Sequence, residues 1–181
     1  MTPKIAVILF PGTNCELEAI RALKRSQMDT QLIRWNEDID YTKFDGFFIP
    51  GGFSYEDRGR SGIIASKNPL LQKIKLESEK GKPVIGVCNG AQILLEAKLI
   101  PNLDASNVEM GLAENKRQNA DGNIIGTGFY NDWIYIKSTT RKDRSAFNDF
   151  GSDYIMKIPI AHAEGRFTTT DDGLLDVLQQ N

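Results

Sequence analysis

Three absences limit what this sequence can encode. Two cysteines, far apart in 181 residues, do not suggest a disulfide framework and fit a reducing compartment. The first apolar run, before Pro11-Gly12, is too short to cross a membrane and lacks a signal-peptide cleavage site. The 22 basic and 24 acidic residues give a net charge of -2, with no basic excess to neutralise phosphates. We therefore expect a cytoplasmic protein without a metal site that binds neither membranes nor nucleic acid.

What the sequence contains is an alternation of strand and helix patterns. Its length and its 40% hydrophobic content predict one domain, residues 1–181. Up to residue 97 the alternation indicates an α/β fold with a doubly wound, mostly parallel sheet. After residue 101 the strands have no long helices between them, so we expect an antiparallel or mixed excursion. The predicted strands are Ile5–Phe10, Gln31–Trp35, Phe44–Pro50, the run before Gly86, Ile124-Ile125, Trp133–Lys137 and Tyr154–Ile160; the predicted helices are 15–23, 63–80 and 171–180.

The segment Gly86-Val87-Cys88-Asn89-Gly90 has the pattern of a nucleophile elbow with sulfur in place of a serine hydroxyl. Its two glycines permit a sharp turn at the end of a strand, and a helical pattern follows. Cys88 would then lie at a helix N-terminus, where the dipole favours a thiolate. The alternative is a buried core thiol, but that role would need neither flanking glycine.

A second turn follows the third predicted strand. Gly51 and Gly52 allow backbone conformations closed to other residues, so amide N–H groups in Pro50–Ser54 can point at a ligand. Both turns follow parallel strands and should share one edge of the sheet. An oxyanion hole could combine the Asn89 amide with an amide of the Gly51-Gly52 turn. The alternative is a purely structural turn.

The chain has one histidine, His162, followed two residues later by Glu164. On a continuous strand the two side chains would lie on the same face. Spacing alone therefore suggests a triad of Cys88, His162 and Glu164.

The other cysteine, Cys15, belongs to an apolar helical stripe, and we predict that it packs in the core. Thr13 and Glu16 have the spacing of a capping box.

Four motifs, in this order, resemble class I glutamine amidotransferases, and within them a branch that serves purine biosynthesis. They are Phe10-Pro11-Gly12 with Asn14-Cys15, Ile49-Pro50-Gly51-Gly52-Phe53-Ser54-Tyr55, Gly86-Val87-Cys88-Asn89-Gly90 with Gln92, and Ala161-His162 with Glu164-Gly165. The resemblance spans nearly all of the chain. It implies a flavodoxin-like fold in which Cys88 attacks the side-chain amide of glutamine, releases ammonia and forms a thioester that water hydrolyses.

The same resemblance implies residue roles and partners. Gly52 and Asn89 match the oxyanion positions, with Phe53 beside them, and Gln92 matches a glutamine contact; His162, Ala163 and Glu164 match a segment that lines the glutamine pocket. Ammonia would pass to a separate synthetase subunit that activates formylglycinamide ribonucleotide, with a small third subunit as a further candidate partner. No cofactor is expected in this subunit, because ATP and Mg²⁺ would bind to the synthetase.

The sequence departs from the family in two places. Family members take the histidine and glutamate partners of the cysteine from a His-Pro-Glu segment near the C-terminus, and this sequence contains none. We expect a C-terminally incomplete domain that bears the nucleophile but is weakly active or inactive by itself; the alternatives are a short form with His162 as the base and an inactive partner-binding module. In addition, Glu56 to Gly59 differs from the usual loop. A cysteine-elbow family with glyoxalase- and peptidase-like members is a competing class, but it places histidine where this chain has Asn89.

Overall fold

The apolar run at the N-terminus forms the central strand of a parallel sheet in the computed structural model of the protein. The structure describes residues 1–103, 107–139, 145–147 and 154–180. These residues group into two compact units, Met1–Gly111 with Thr168–Asn181, and Leu112–Phe167. A single domain over residues 1–181 stays a prediction.

The sheet of the first unit contains β1 (Lys4–Leu9), β2 (Asp29–Arg34), β3 (Gly46–Ile49) and β4 (Val84–Gly86). Their spatial order is β2-β1-β3-β4, and each neighbouring pair is parallel. This order equals the first four strands of the flavodoxin-like sheet. The predicted α/β class with a doubly wound, mostly parallel sheet is confirmed.

The α-helices within residues 1–103 are α1 (Glu16–Arg25), α2 (Ile63–Ser66), α3 (Pro69–Glu79) and α4 (Asn89–Glu96). The single helix predicted over 63–80 is in fact two, because Asn68 starts a new helix: its Oδ1 accepts a hydrogen bond from Leu70 N, with Pro69 in the first turn. Gly81 ends α3 with a φ of +93°, as the sequence predicted.

Two predictions at the start of α1 are wrong. Thr13 does not cap the helix, because its Oγ1 accepts from Phe10 N and Cys15 occupies the N-cap position. Cys15 is also exposed and not packed in the core. The chain leaves β1 through the Pro11-Gly12 turn, which places the first helical residues at the rim of the sheet.

Apolar side chains from the strands and helices bury one another in the first unit. The fully buried ones include Ile8, Phe10, Ile33, Phe47, Ile49, Leu71, Ile74 and Ile93. Each contributes about 1.5–3 kcal/mol relative to an exposed position. This core fixes the strand ends, and with them the loops at the carboxyl edge. Among the described residues, no helix combines the length and the apolar character that a membrane crossing requires.

The second unit consists of short strands. They are β5 (Gly111–Glu114), β6 (Lys116–Gln118), β7 (Ile124–Thr127), β8 (Tyr130–Lys137), β9 (Ile155–His162) and β10 (Glu164–Thr168); α5 (Leu174–Gln180) returns to the first unit. β6 pairs with β7 and β8 with β9, both antiparallel, while β10 pairs with β5. The antiparallel excursion was predicted, but the strands at 111–118 were missed because that segment is polar and lacks a two-residue period.

The pH dependence of stability should report on Glu77. Its carboxylate is 6% exposed and binds Lys80 Nζ and Lys82 Nζ, each at 2.6 Å. Lys80 and then Lys82 lower the pKa of Glu77 below its ordinary value near 4.5. This stabilisation is therefore present above about pH 4.5 and is lost as the pH falls through the lowered pKa.

We expect Glu77→Gln to reduce the free energy of unfolding at pH 7 and to flatten its decline below pH 4.5, measured by urea unfolding. Glu79→Gln is the matched control, since Glu79 lies on the same helix and is exposed. Equal acid profiles for wild type and Glu77→Gln would contradict the assignment.

Candidate active site

Cys88 lies in the sharp turn between β4 and α4. Its backbone has φ 56° and ψ -118°, a conformation that L-residues rarely adopt. Both flanking glycines are needed for close packing: a Cβ on Gly86 would be 2.5 Å from Gly90 O, and one on Gly90 would overlap the carbonyl of Ile49. The thiol is exposed. The predicted nucleophile elbow therefore has its expected backbone form, and the core-thiol alternative is wrong.

The elbow packs against the turn that follows β3. Val87 N donates to Ile49 O at 3.1 Å. A Cβ built on Gly51 would be 3.1 Å from Cys88 Cβ and 3.6 Å from Cys88 Sγ. The absence of a side chain at Gly51 thus leaves the space that the cysteine occupies, and the two turns meet at one edge of the sheet.

Gly52 pairs with Thr13 in an isolated antiparallel bridge. The bonds around this bridge are Asn14 N to Gly51 O and Phe53 N to Gly12 O. Because these bonds join the flanking residues, the N–H groups of the two paired residues point away from each other. The Gly52 N–H therefore points away from Thr13. A Cβ at Gly52 would be 2.6 Å from Gly12 O, and φ is +143°, so the turn requires glycine.

Asn89 is the first residue of α4. The first N–H groups of a helix have no acceptor within the helix, so the Asn89 amide can donate to a ligand. Gly52 and Asn89 thus offer two backbone donors on the turns that flank Cys88. Phe53 differs, because its N–H is bound to Gly12 O. A substrate contact from Phe53 would have to come from its ring, which is 64% exposed.

The side chain of Asn89 is 2% exposed and makes three hydrogen bonds. Its Oδ1 accepts from Ser54 N at 3.0 Å, and its Nδ2 donates to Asp57 Oδ1 at 3.0 Å and to Gln92 Oε1 at 2.9 Å. This buried amide connects the elbow, the turn after β3 and the predicted glutamine contact Gln92. No local pattern in the sequence indicates this role for the side chain.

The two cysteines lie near each other but in different electrostatic surroundings. Desolvation, followed by the neighbouring Cys88 and by Glu18 and Glu16, raises the pKa of the Cys15 thiol. Those glutamates lie in the first turn of α1, whereas the first turn of α4 has no acidic residue. A helix N-terminus favours negative charge on sulfur only where acidic neighbours do not oppose it. The acidic neighbours therefore oppose a thiolate at Cys15, and the role of Cys88 as nucleophile stays a prediction.

The loop after the Gly51-Gly52 turn is strained and tied to α4. Tyr55, Glu56 and Asp57 all have left-handed φ values, of 52°, 59° and 51°. Arg60 makes a bidentate ion pair with the carboxylate of Glu96, with both distances 2.6 Å. The unusual Glu56 binds Arg58 at 2.7 Å on the surface. Helix α4 therefore holds this loop at both ends, through Asn89 and through Glu96.

In the second unit, Asn115 organises the segment around His162. Asn115 is 9% exposed. Its Nδ2 lies 3.0 Å from His162 Nδ1 and also donates to the carbonyl of His162; its Oδ1 accepts from Gly165 N at 3.0 Å, and its N donates to Ala163 O at 2.8 Å. The Asn115 amide therefore faces the Nδ1 edge of the His162 ring and binds the backbone on both sides of Ala163.

The predicted common face of His162 and Glu164 is wrong. The chain bends at Ala163, where β9 ends and β10 begins, and the two strands pair with different partners. The alternation rule applies only along one continuous strand. The spacing of His162 and Glu164 therefore does not support the suggested triad, and a pocket role for this segment stays a prediction.

Two contributors to these sites were missed, Asp57 and Asn115. Asp57 meets Asn89 across 32 positions of sequence, and Asn115 meets His162 across 47. No local spacing can identify partners so far apart. Within the described ranges, no group of three or more histidine, cysteine, aspartate or glutamate side chains is arranged to hold a metal ion.

Comparison with known proteins adds a family and several relatives. Residues 2–181 match the family model described as a CobB/CobQ-like glutamine amidotransferase domain. The chain is 42% identical over 177 residues to phosphoribosylformylglycinamidine synthase subunit PurQ of Methanothrix thermoacetophila, covering 97% of this chain and 66% of that protein. It is 42% identical over 164 residues to the subunit of the same name from Methanopyrus kandleri, covering 91% of this chain and 64% of that protein.

A solved structure of PurLQS from Thermotoga maritima is similar as well. It superposes with a TM-score of 0.76 at 29% identity, covering 95% of this chain and 72% of that one. The chain thus spans about two thirds of the length of its first two relatives, 66% and 64%. The similarity extends over both units of this chain.

Proposed function

The chain belongs to the CobB/CobQ-like glutamine amidotransferase family, and from this we propose that it is the glutaminase subunit of a phosphoribosylformylglycinamidine synthase. In this role it hydrolyses glutamine and supplies ammonia for the conversion of formylglycinamide ribonucleotide to formylglycinamidine ribonucleotide in purine biosynthesis. Two relatives named as a subunit of this synthase, PurQ, are each 42% identical to the chain. The observation that carries the proposal is the glycine-flanked, exposed Cys88 packed beside the Gly51-Gly52 turn.

The chemistry follows from the groups around the elbow. The Cys88 thiolate attacks the side-chain carbonyl carbon of glutamine, and the oxygen becomes an oxyanion that accepts from the Gly52 and Asn89 amides. The C–N bond then breaks as the leaving amine takes a proton from water, and ammonia leaves. Water attacks the resulting thioester, which gives glutamate and restores the thiol. The positive end of α4 stabilises the charge on sulfur before attack.

The other residues bind and orient glutamine in this proposal. Gln92 contacts the substrate with its amide, held by Asn89 Nδ2. The resemblance to the family implies that the backbone of Ala163 and Glu164 holds the amino-acid end of glutamine and that His162 contacts it. Asn115 supports that role, because it fixes the His162 ring and the Ala163 carbonyl. Phe53 adds an exposed ring beside the turn.

The same proposal assigns partner subunits to this chain. The synthetase subunit binds ATP and Mg²⁺ and receives the ammonia, and a small third subunit joins the complex. The similarity to PurLQS supports an assembly of this kind. We place the protein in the cytoplasm, since its two free cysteines are exposed and suit a reducing compartment.

The experiment compares nitrogen donors. The full chain is mixed with the synthetase subunit, formylglycinamide ribonucleotide and ATP, and product is measured with glutamine or with ammonium chloride. We expect glutamine to support product formation only when the chain is present, and ammonium to support it with the synthetase alone. Product from glutamine without the chain, or none with it, would refute the proposal.

His162 has a separate prediction. If it lines the glutamine pocket, His162→Ala should raise KM for glutamine by about tenfold, the loss of one good contact, with a smaller effect on kcat. Steady-state glutaminase kinetics measure both constants. Asn119→Ala is a control from the same unit, because Asn119 stabilises a separate turn through Asp121 N and Asn123 N. A loss confined to kcat would identify His162 as a base instead.

A further inference from the structure

The hydrogen bonds of Asn89 determine how its side-chain amide is oriented. The Ser54 N–H can only donate, so the atom facing it is the oxygen Oδ1. The Asp57 carboxylate oxygen Oδ1 lies 3.0 Å from the other end of the amide and accepts from it, so the atom facing it is Nδ2. The two constraints agree, and the second proton of Nδ2 then points at Gln92 Oε1. The amide orientation follows from its partners.

We propose that the Asn89 side chain is the positioning residue of the oxyanion hole. Asn89 supplies one donor of the hole through its backbone amide, and its Oδ1 binds Ser54 N, two residues after Gly52, which supplies the other. The side chain thus fixes the separation of the two donors and orients Gln92. This inference rests on the proposed function, because it assigns a task within that reaction.

The link between the Asn89 side chain and the loop after Gly52 owes most of its strength to the hydrogen bond with Asp57. A hydrogen bond to a carboxylate is about twice as strong as one between neutral groups. Asp57 also ends a run of three left-handed residues, a backbone state that persists only where its surroundings hold it. The Asn89 contact therefore holds the strained loop against the elbow. If the contact is lost, the loop can relax and carry Ser54 and the Gly52 amide away from Cys88.

The chemistry at position 89 is restrictive. An apolar residue would leave Ser54 N and Asp57 without these partners. Aspartate has the right shape and can accept from Ser54 N, but its carboxylate would lie about 3.0 Å from that of Asp57. Two carboxylates at that distance cannot both be ionised, so one pKa rises. Only an amide offers an acceptor on one side and two donors on the other.

The first test is Asn89→Ala in the full chain, assayed for glutamine hydrolysis. We expect kcat to fall about 10²-fold, the usual effect of a misplaced oxyanion donor, with a smaller rise in KM from the lost bond to Gln92. Hydrogen exchange of the Ser54 amide should accelerate, a readout that needs no activity. Asn119→Ala is the matched control. It also removes a side chain that accepts from backbone N–H groups, but at a turn far along the sequence, so kcat should not change.

The second test uses a charge pair. In Asn89→Asp, the carboxylates at positions 57 and 89 can share a proton at low pH, and this restores the contact. The kcat of the variant should therefore fall as the pH rises through the raised pKa of the pair. The wild-type pH profile should lack this descending limb. Adding Asp57→Asn returns one amide and one carboxylate to the pair. The double variant should lose that limb and recover kcat at pH 8 at least tenfold over Asn89→Asp.

The outcomes separate this inference from the proposed function. Wild-type kcat and unchanged Ser54 exchange in Asn89→Ala would overturn the positioning role. A kcat loss in Asn89→Asp without the added pH limb, or without recovery in the double variant, would also overturn it. A wild type that hydrolyses no glutamine would refute the proposed function alone, and the Ser54 exchange in Asn89→Ala would still decide whether Asn89 holds the turn.

Discussion

Replacing Cys88 with alanine should lower glutamine hydrolysis at least about 10⁴-fold, since the proposed mechanism forms its covalent intermediate on this thiolate. The same variant should no longer be labelled by a glutamine-analogue electrophile. Ammonia-dependent product formation by the synthetase subunit should be unchanged, because that reaction bypasses the nucleophile. Mass spectrometry of labelled protein and a glutamate-release assay measure both effects.

The matched control is Cys15→Ala. Both cysteines are exposed and stand at helix N-termini, but desolvation and the neighbouring Cys88 raise the pKa of Cys15. Cys15→Ala should therefore keep labelling at Cys88 and most of the hydrolysis. If labelling persists in Cys88→Ala and disappears in Cys15→Ala, the assignment of the nucleophile is reversed.

The largest effect on folding is expected from Gly90→Ala. The added Cβ would overlap Ile49 O and lie 3.1 Å from Pro50 O, both backbone atoms that cannot rotate away. Helix α4 would have to withdraw from β3, with a loss of about 3 kcal/mol in unfolding free energy from overpacking. The better helix propensity of alanine would offset about 1 kcal/mol of that loss.

Gly90→Ala should also impair catalysis, because Cys88 moves with the start of α4, and a displacement of about 1 Å can reduce the rate about 10²-fold. Urea unfolding and steady-state kinetics measure the two effects. Gly111→Ala is the control, since a Cβ there would meet no atom within 4 Å. A Gly90→Ala protein as stable as Gly111→Ala would show that the close contact between α4 and β3 is not essential.

Several parts of this protein follow from local sequence. The Gly86–Gly90 segment predicts the elbow because a sharp turn and close packing require glycine at particular positions, whatever surrounds them. The alternation of apolar strands and helices predicts the parallel sheet, and the carboxyl edge follows from strand direction. In the same way, Gly81 predicts the end of α3 from its own backbone preference.

The errors arise where a local rule competes with a tertiary contact. Thr13 has capping-box spacing, but its hydroxyl accepts from Phe10 N instead. His162 and Glu164 have strand spacing, but the bend at Ala163 separates their strands. The strands at 111–118 are held by pairing with β10 and β7 and not by an apolar period. In each case the deciding partner lies outside the window that a local pattern reads.

By itself, the sequence determined the elbow and the fold class, since both depend on the intrinsic conformational and hydrophobic preferences of consecutive residues; the nucleophile stays a prediction. Only the tertiary structure decided what holds the site in place. Asn89 reaches Ser54 across 35 positions of sequence, and Asn115 reaches Gly165 across 50. Buried amides take whichever partners the fold brings within hydrogen-bonding distance, and that choice is a property of the packed chain.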